Sequence, residues 1–261
     1  MNARAARIPW PGAMAFCLAG LMAAWLLLAT SAETRAGCDP ARFPLLVDAG
    51  HGPKRSGAES ARGVPEHAFN TRLAARVVAA LQAAGFCRAA LLDPDGLDLP
   101  PAARAARANA RGARLLVSIH HDSAQPQYLS AWIVEGKTRR YCDRFAGYSL
   151  FYSGKSAQAE ESLRLARLIG RELRQAGLSF TRHHAEAIPG ENRPLVDEAV
   201  GVSRYDGLAV LYGARMPAVL VEAGVIVNRE EEAALSRPER IETTARAIAQ
   251  GVVSFCRQNT P

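Results

Sequence analysis

Pro44-Leu45-Leu46-Val47-Asp48-Ala49-Gly50-His51-Gly52 is a short apolar run that ends in an acid, two small residues and a histidine. Residues 44–48 read as a buried strand that Ala49 and Gly50 terminate, with His51 opening a glycine-rich loop. A helical pattern follows over residues 66–84, where Phe69, Leu73, Val77, Ala80 and Leu81 share one face and Gly85 is the stop signal. Strand, loop and helix in that order begin an α/β unit.

The alternation continues along the chain. Residues 86–92 read as a second strand, 101–111 as a helix opened by proline and closed by Gly112, and 115–119 as a third strand. A polar loop begins at His120, and residues 129–134 read as a fourth strand. Residues 136–155 carry Tyr141, Phe145, Tyr148, Phe151 and Tyr152 without a clean period, which suggests a surface excursion over the site. Residues 156–176 form an amphipathic helix pattern stopped by Gly177. A last buried strand is expected at 218–222, and a final helix with Ser236 and Glu239 as a capping box runs to near Cys256. No repeat, low-complexity tract or linker divides residues 40–258. The expected fold is a single three-layer α/β domain whose central sheet is mostly parallel, with helices on both faces.

The chain has 261 residues, 49% of them hydrophobic, enough for one sizeable core. Residues 1–36 read as a secretory signal peptide: Arg4 and Arg7 precede an apolar run from Ala13 to Ala29, and small residues follow. The mature domain is then 37–261, in the periplasm or outside the cell, with an uncleaved anchor as the alternative. Export leaves Cys38, Cys87, Cys142 and Cys256, which allow two disulfides in any of three connectivities, or four buried thiols. Net charge is +7 overall and about +5 without the leader. No basic run with interleaved aromatics exists, so a nucleic-acid partner is not expected.

In a parallel sheet the strand ends that carry His51, His120 and Glu222 share one edge, and ligands of open α/β sheets bind at that carboxyl edge. Glu66, at the start of the first helix, faces the same edge. Two imidazoles and one carboxylate are the donors of a catalytic zinc, and a further carboxylate can take the proton of an attacking water. The spacing does not match the His-Glu-x-x-His pattern of zincin proteases. Two imidazoles argue against calcium or magnesium.

Four blocks carry a resemblance: Val47 to Gly52; Glu66 with Asn70; Val117 to His120; and Pro217 to Gly224 with Asn228. Together they resemble the zinc-dependent N-acetylmuramoyl-L-alanine amidases of the family-3 type, in order and with similar spacing from about residue 45 to 253. The resemblance implies that His51, Glu66 and His120 bind Zn2+ and that Glu222 is catalytic. It implies hydrolysis of the amide between N-acetylmuramic acid and L-alanine in peptidoglycan, with an activator protein as a candidate partner and a monomeric chain. The alternatives are another zinc amidohydrolase on cell-wall peptides, or a non-catalytic wall-binding protein on the same scaffold; the latter needs neither the three ligands nor Glu222.

This chain departs from the family pattern in three places. His121-Asp122 stands where the family commonly has Ala-Asn, and Pro53 replaces a common glycine. Residues 182–199 look inserted, and His184, Glu186 or Glu191 could line the cleft or cover it as a lid, against a solvated surface loop. His121 could assist as a second donor or simply orient its neighbours. Substrate-binding residues are not legible.

Overall fold

The structure is a computed structural model that describes residues 38–258. The expected signal peptide lies outside the described residues. Among the described residues, no helix is long and apolar enough to cross a membrane.

Strand β1 (Leu45–Ala49) leads through the glycine loop to α1 (Glu66–Ala83), then β2 (Ala89–Leu91), α2 (Pro101–Ala110) and β3 (Leu115–Asp122). A hairpin of β4 (Ser130–Val134) and β5 (Lys137–Tyr141) precedes β6 (Ser149–Tyr152) and α3 (Ala159–Gln175). Short strands β7 (Leu195–Asp197) and β8 (Val202–Arg204), a turn of helix α4 (Ala209–Tyr212) and β9 (Ala218–Val225) follow, and α5 (Arg229–Leu235) and α6 (Pro238–Arg257) close the domain.

The seven-stranded sheet has the order β2-β1-β3-β9-β6-β8-β7. Its first four strands are mutually parallel, β6 runs antiparallel to β9, β8 is parallel to β6, and β7 is antiparallel to β8. The strands of the parallel half are apolar on both faces because both faces are covered. Leu45, Val47, Val117, Ile119, Val219 and Val221 pack with α1, α3 and α6, where Leu73, Leu165 and Ile248 are buried. Leu46, Leu116, Ala218 and Leu220 point the other way, into a smaller cluster with Ala108 of α2 and Val210 and Leu211 of α4. This is the three-layer domain that the alternation of elements predicts.

Four expectations need correction. The strand expected at 129–134 stays out of the main sheet: β4 pairs with β5 through the turn Glu135-Gly136, where φ is 50° and 74°. Both turn residues being left-handed suits a two-residue hairpin, and the mostly exposed pattern of β4 gives it no place between two covered faces. Conversely β6, buried at all four positions, lies within the stretch that showed no period, because a doubly covered strand does not alternate.

The capping box fails: α6 starts at Pro238, its cap residue Arg237 makes no side-chain cap bond, and Ser236 instead ends α5, its Oγ donating to the Glu232 carbonyl. Asn228 caps α5 and accepts from the amides of Glu230 and Glu231. Two disulfides do not form. Cys38 and Cys256 are bonded, stapling the segment before β1 to the last helix, while Cys87 is a free exposed thiol and Cys142 a free buried one. Cys142 packs in a separate cluster with Phe145 and Val227.

Candidate metal centre and active site

The glycine loop begins with a strained residue. His51 has φ of 66°, uncommon for a residue with a side chain. Its carbonyl accepts from Nη2 of Arg104, whose Nη1 donates to Oδ1 of Asp48 and, at 2.9 Å, to the Ala49 carbonyl. Asp48 is fully buried at the end of β1 and its Oδ2 also accepts from Ser118 Oγ at 2.7 Å. Arg104 thus neutralises a buried carboxylate and fixes the turn that aims His51.

Glu66, the first residue of α1, lies between the two histidines. His51 Nε2 is 3.0 Å from Glu66 Oε2, and His120 Nδ1 is 3.1 Å from Glu66 Oε1. The imidazole rings meet edge to face with centroids 5.0 Å apart. One ligand atom from each of the three residues falls within a 4.8 Å span. Burial opposes ionisation of Glu66, yet hydrogen bonds and charge from His120 and His51 outweigh it and hold its carboxyl well below the usual range.

Space around these donors is kept by glycine. A Cβ at Gly50 would stand 2.1 Å from His120 Nε2, and one at Gly57, where φ is 80°, would stand 2.3 Å from Glu66 Oε2 and 2.7 Å from the His51 ring. Asn70, one turn along α1, donates to Glu66 Oε1 and to the Gly50 carbonyl, both at 3.1 Å. His121 is fully buried, and burial pushes its imidazole down to about 3, so the ring is neutral. Its Nδ1 therefore donates to Asn70 Oδ1 at 2.8 Å, an orienting geometry for the residue that orients Glu66.

Glu222 lies in β9 directly opposite His120 in the register of β3 and β9. Its Oε2 is buried and has no hydrogen-bond partner. Burial raises its pKa well above the usual carboxylate range, and the charges of Asp122 and Glu66 raise it further. A raised pKa suits a group that returns a proton, and a nearby cation would lower it and favour proton acceptance.

The structure brings His51, Glu66, His120 and Glu222 to the carboxyl edge of the parallel strands, as their spacing predicts. The segment 182–199 is exposed along much of its length but is anchored at the sheet edge: His184 Nε2 is 2.5 Å from Asp122 Oδ2, and Gln125 donates to Glu191 at 2.6 Å. Glu186 accepts from Tyr128 and Arg144. A cavity of about 230 Å³ remains between this segment and the sheet edge, lined among others by Asp122, His184, Glu191, Arg193, Tyr205 and Glu222. Sequence reasoning missed Arg104 and Ser118; an acid at the end of an otherwise apolar strand was the signal that Asp48 needs partners.

Donors of imidazole and carboxylate type, held open by glycine beside a carboxylate that none of them engages, are the parts of a metallohydrolase. The profile of one such family, N-acetylmuramoyl-L-alanine amidase, matches residues 45–254, and the chain belongs to that family. It is an amidase. A Mycobacterium tuberculosis N-acetylmuramoyl-L-alanine amidase is 28% identical over 228 residues, covering 84% of this chain and 82% of the relative. Among solved structures, the catalytic domain of the Bacillus (Paenibacillus) polymyxa amidase CwlV is 25% identical with a TM-score of 0.62, covering 82% of this chain and 97% of that one. The Ami1 amidase of Mycobacterium smegmatis shares the fold at 24% identity and a TM-score of 0.67, covering 84% and 99%. The CwlD amidase of Clostridioides difficile, solved in complex with the GerS lipoprotein, shares the fold at 18% identity and a TM-score of 0.56, covering 82% and 98%.

Proposed function

We propose that the chain is an exported zinc enzyme that hydrolyses the amide between N-acetylmuramic acid and L-alanine in peptidoglycan, with His51, Glu66 and His120 as ligands and Glu222 as the proton-transferring base. The observation that carries this reading is the unpartnered Oε2 of Glu222 on the strand neighbour of His120.

The donor set fits zinc. Ligand atoms about 3 Å apart suit a tetrahedral ion with bonds of roughly 2.0–2.1 Å, and the open side supplies the fourth position. Zinc bound there would act as a Lewis acid, acidifying a water and polarising the scissile carbonyl. Glu66 ionised between the imidazoles supplies one negative charge to that cation. Arg104 and Asn70 keep the ligand rings and carboxylate aimed. Glu222 Oε2 takes the proton of the attacking water and then delivers it to the departing L-alanine nitrogen. Its raised pKa suits the second role, and a cation at the triad would lower it enough for the first.

The leader pattern supports export to the periplasm or cell surface, and an activator protein is a candidate partner. We expect a monomer. Chelation of the purified protein should abolish release of stem peptides from peptidoglycan, and added zinc should restore it. Undiminished release after complete zinc removal would defeat the metal assignment.

A further inference from the structure

The 182–199 segment carries a second constellation that the amide chemistry above does not use. His183 and His184 both aim at the side chain of Asp122, and one ligand atom from each of the three residues falls within a 4.8 Å span. Asp122 Oδ1 accepts the Ser123 amide at 2.8 Å, which leaves Oδ2 for the imidazoles. His184 Nε2 stands 2.5 Å from that oxygen and His183 Nε2 3.2 Å from it.

The other ring nitrogens are already committed. His184 Nδ1 is 2.8 Å from Glu191 Oε2, and His183 Nδ1 is 2.9 Å from Thr181 Oγ1. A carboxylate on one imidazole nitrogen fixes the tautomer and turns the opposite nitrogen into a metal donor. The rings are also wedged in place: His183 stacks on Phe145 at 4.8 Å and His184 meets Phe151 edge to face at 4.9 Å. An imidazolium bridging Asp122 and Glu191 would account for His184 alone. His183 is 3% exposed, and its Nε2, though 3.2 Å from Asp122 Oδ2, makes no well-aligned hydrogen bond there. Two imidazole nitrogens converging on one carboxylate oxygen are a donor set that a shared cation fits.

We infer that Asp122, His183 and His184 form a second metal site, for a divalent ion of the zinc class, on the cavity that Glu222 also lines. The His183–Asp122 spacing of 3.2 Å is close to those of the first triad and to the roughly 3.3 Å edge of a tetrahedron with bonds of about 2.0–2.1 Å, while His184, at 2.5 Å, would draw back as the ion enters. Imidazole and carboxylate donors suit zinc, cobalt or iron(II) better than magnesium or calcium. The bound ion would tie the 182–199 segment to β3, two residues beyond His120, and place a second positive charge beside the proposed base. This site stands independently of the role given to His51, Glu66 and His120.

Untagged full-length protein, stripped with a chelator and titrated with zinc chloride under calorimetry and elemental analysis, tests it. Wild type should take up two equivalents, and His51→Ala and His184→Gln should each take up one. The double variant should take up none. Cobalt(II) titration should give two sets of visible bands, one of which His184→Gln removes. Asp122→Asn, which preserves shape, should reproduce the loss, and circular dichroism of each variant confirms folding. One equivalent in wild type that His51→Ala removes and neither His184→Gln nor Asp122→Asn affects would overturn the second site. One equivalent lost only in the last two variants would uphold it and sink the first assignment.

Discussion

His120 and Glu222 are register partners on the adjacent parallel strands β3 and β9. Partners in register project to the same face of a sheet, about 4.8 Å apart at the backbone. The proposed base is therefore carried at a fixed offset from a proposed ligand by the hydrogen-bond ladder of two central strands, not by a loop. A bulge follows at once, between His120 and Asp122, and it re-aims the strand end toward the 182–199 segment.

Gly50→Ala should remove zinc from the first triad without unfolding the domain. The added methyl would fall on His120 Nε2, inside any contact real atoms tolerate, so the ring must leave its position. Elemental analysis beside a thermal melt checks this. Zinc content equal to wild type, with the fold intact, would mean that His120 binds no metal.

Arg104→Ala should destabilise the domain by about 3–5 kcal/mol, because Asp48 would be left fully buried with its ion-pair partner gone. At the size of this domain that corresponds to a fall in Tm on the order of 10 °C. The same variant releases the His51 carbonyl, so zinc affinity should fall as well. Urea titration and zinc competition measure the two effects separately.

Much of this was legible in the sequence, and the reasons are local. His51 and Glu66 stand at element ends that glycine, proline and apolar period mark clearly, whereas His120 and Glu222, expected at strand ends, lie within β3 and β9, which run on to Asp122 and Val225. The Arg104–Asp48 pair was not legible, since its members are 56 residues apart and only the packing of α2 against β1 brings them together. The 182–199 segment showed its unusual composition but not its destination, because His183, His184 and Glu191 find Asp122 and Gln125 through tertiary contacts alone. Pairing of cysteines failed for a related reason: Cys38 and Cys256 are 218 residues apart, and even parity says nothing about proximity.

Thiol titration of denatured, unreduced protein should find two free thiols among residues 38–258, Cys87 and Cys142, and in the native protein Cys87 alone of these should be exposed. Reduction should lower stability by about 2–5 kcal/mol, as opening a long loop does. Four free thiols before reduction would rule out the Cys38–Cys256 bond.

In metal-stripped protein, His121 should make stability depend on pH. Its folded pKa is depressed to about 3 by burial, so the unfolded chain binds the proton first. Its contribution is present in full above about 6.5 and is lost as pH falls from there toward about 3. The urea midpoint of the wild type should fall between pH 7 and pH 5, and His121→Gln should fall less. Equal falls in both would show that His121 is not held neutral.

Mass spectrometry of peptidoglycan digested with wild type and with Glu222→Gln, each with its zinc content measured, decides whether Glu222 is the base of an amidase. Wild type should release stem peptides bearing a free L-alanine amine. The variant should hold the same zinc and turn over slower by on the order of 10²-fold or more, as for loss of a general base. Hydrolysis at the wild-type rate in Glu222→Gln, or wild-type products cut at any bond other than the one to L-alanine, would contradict that assignment.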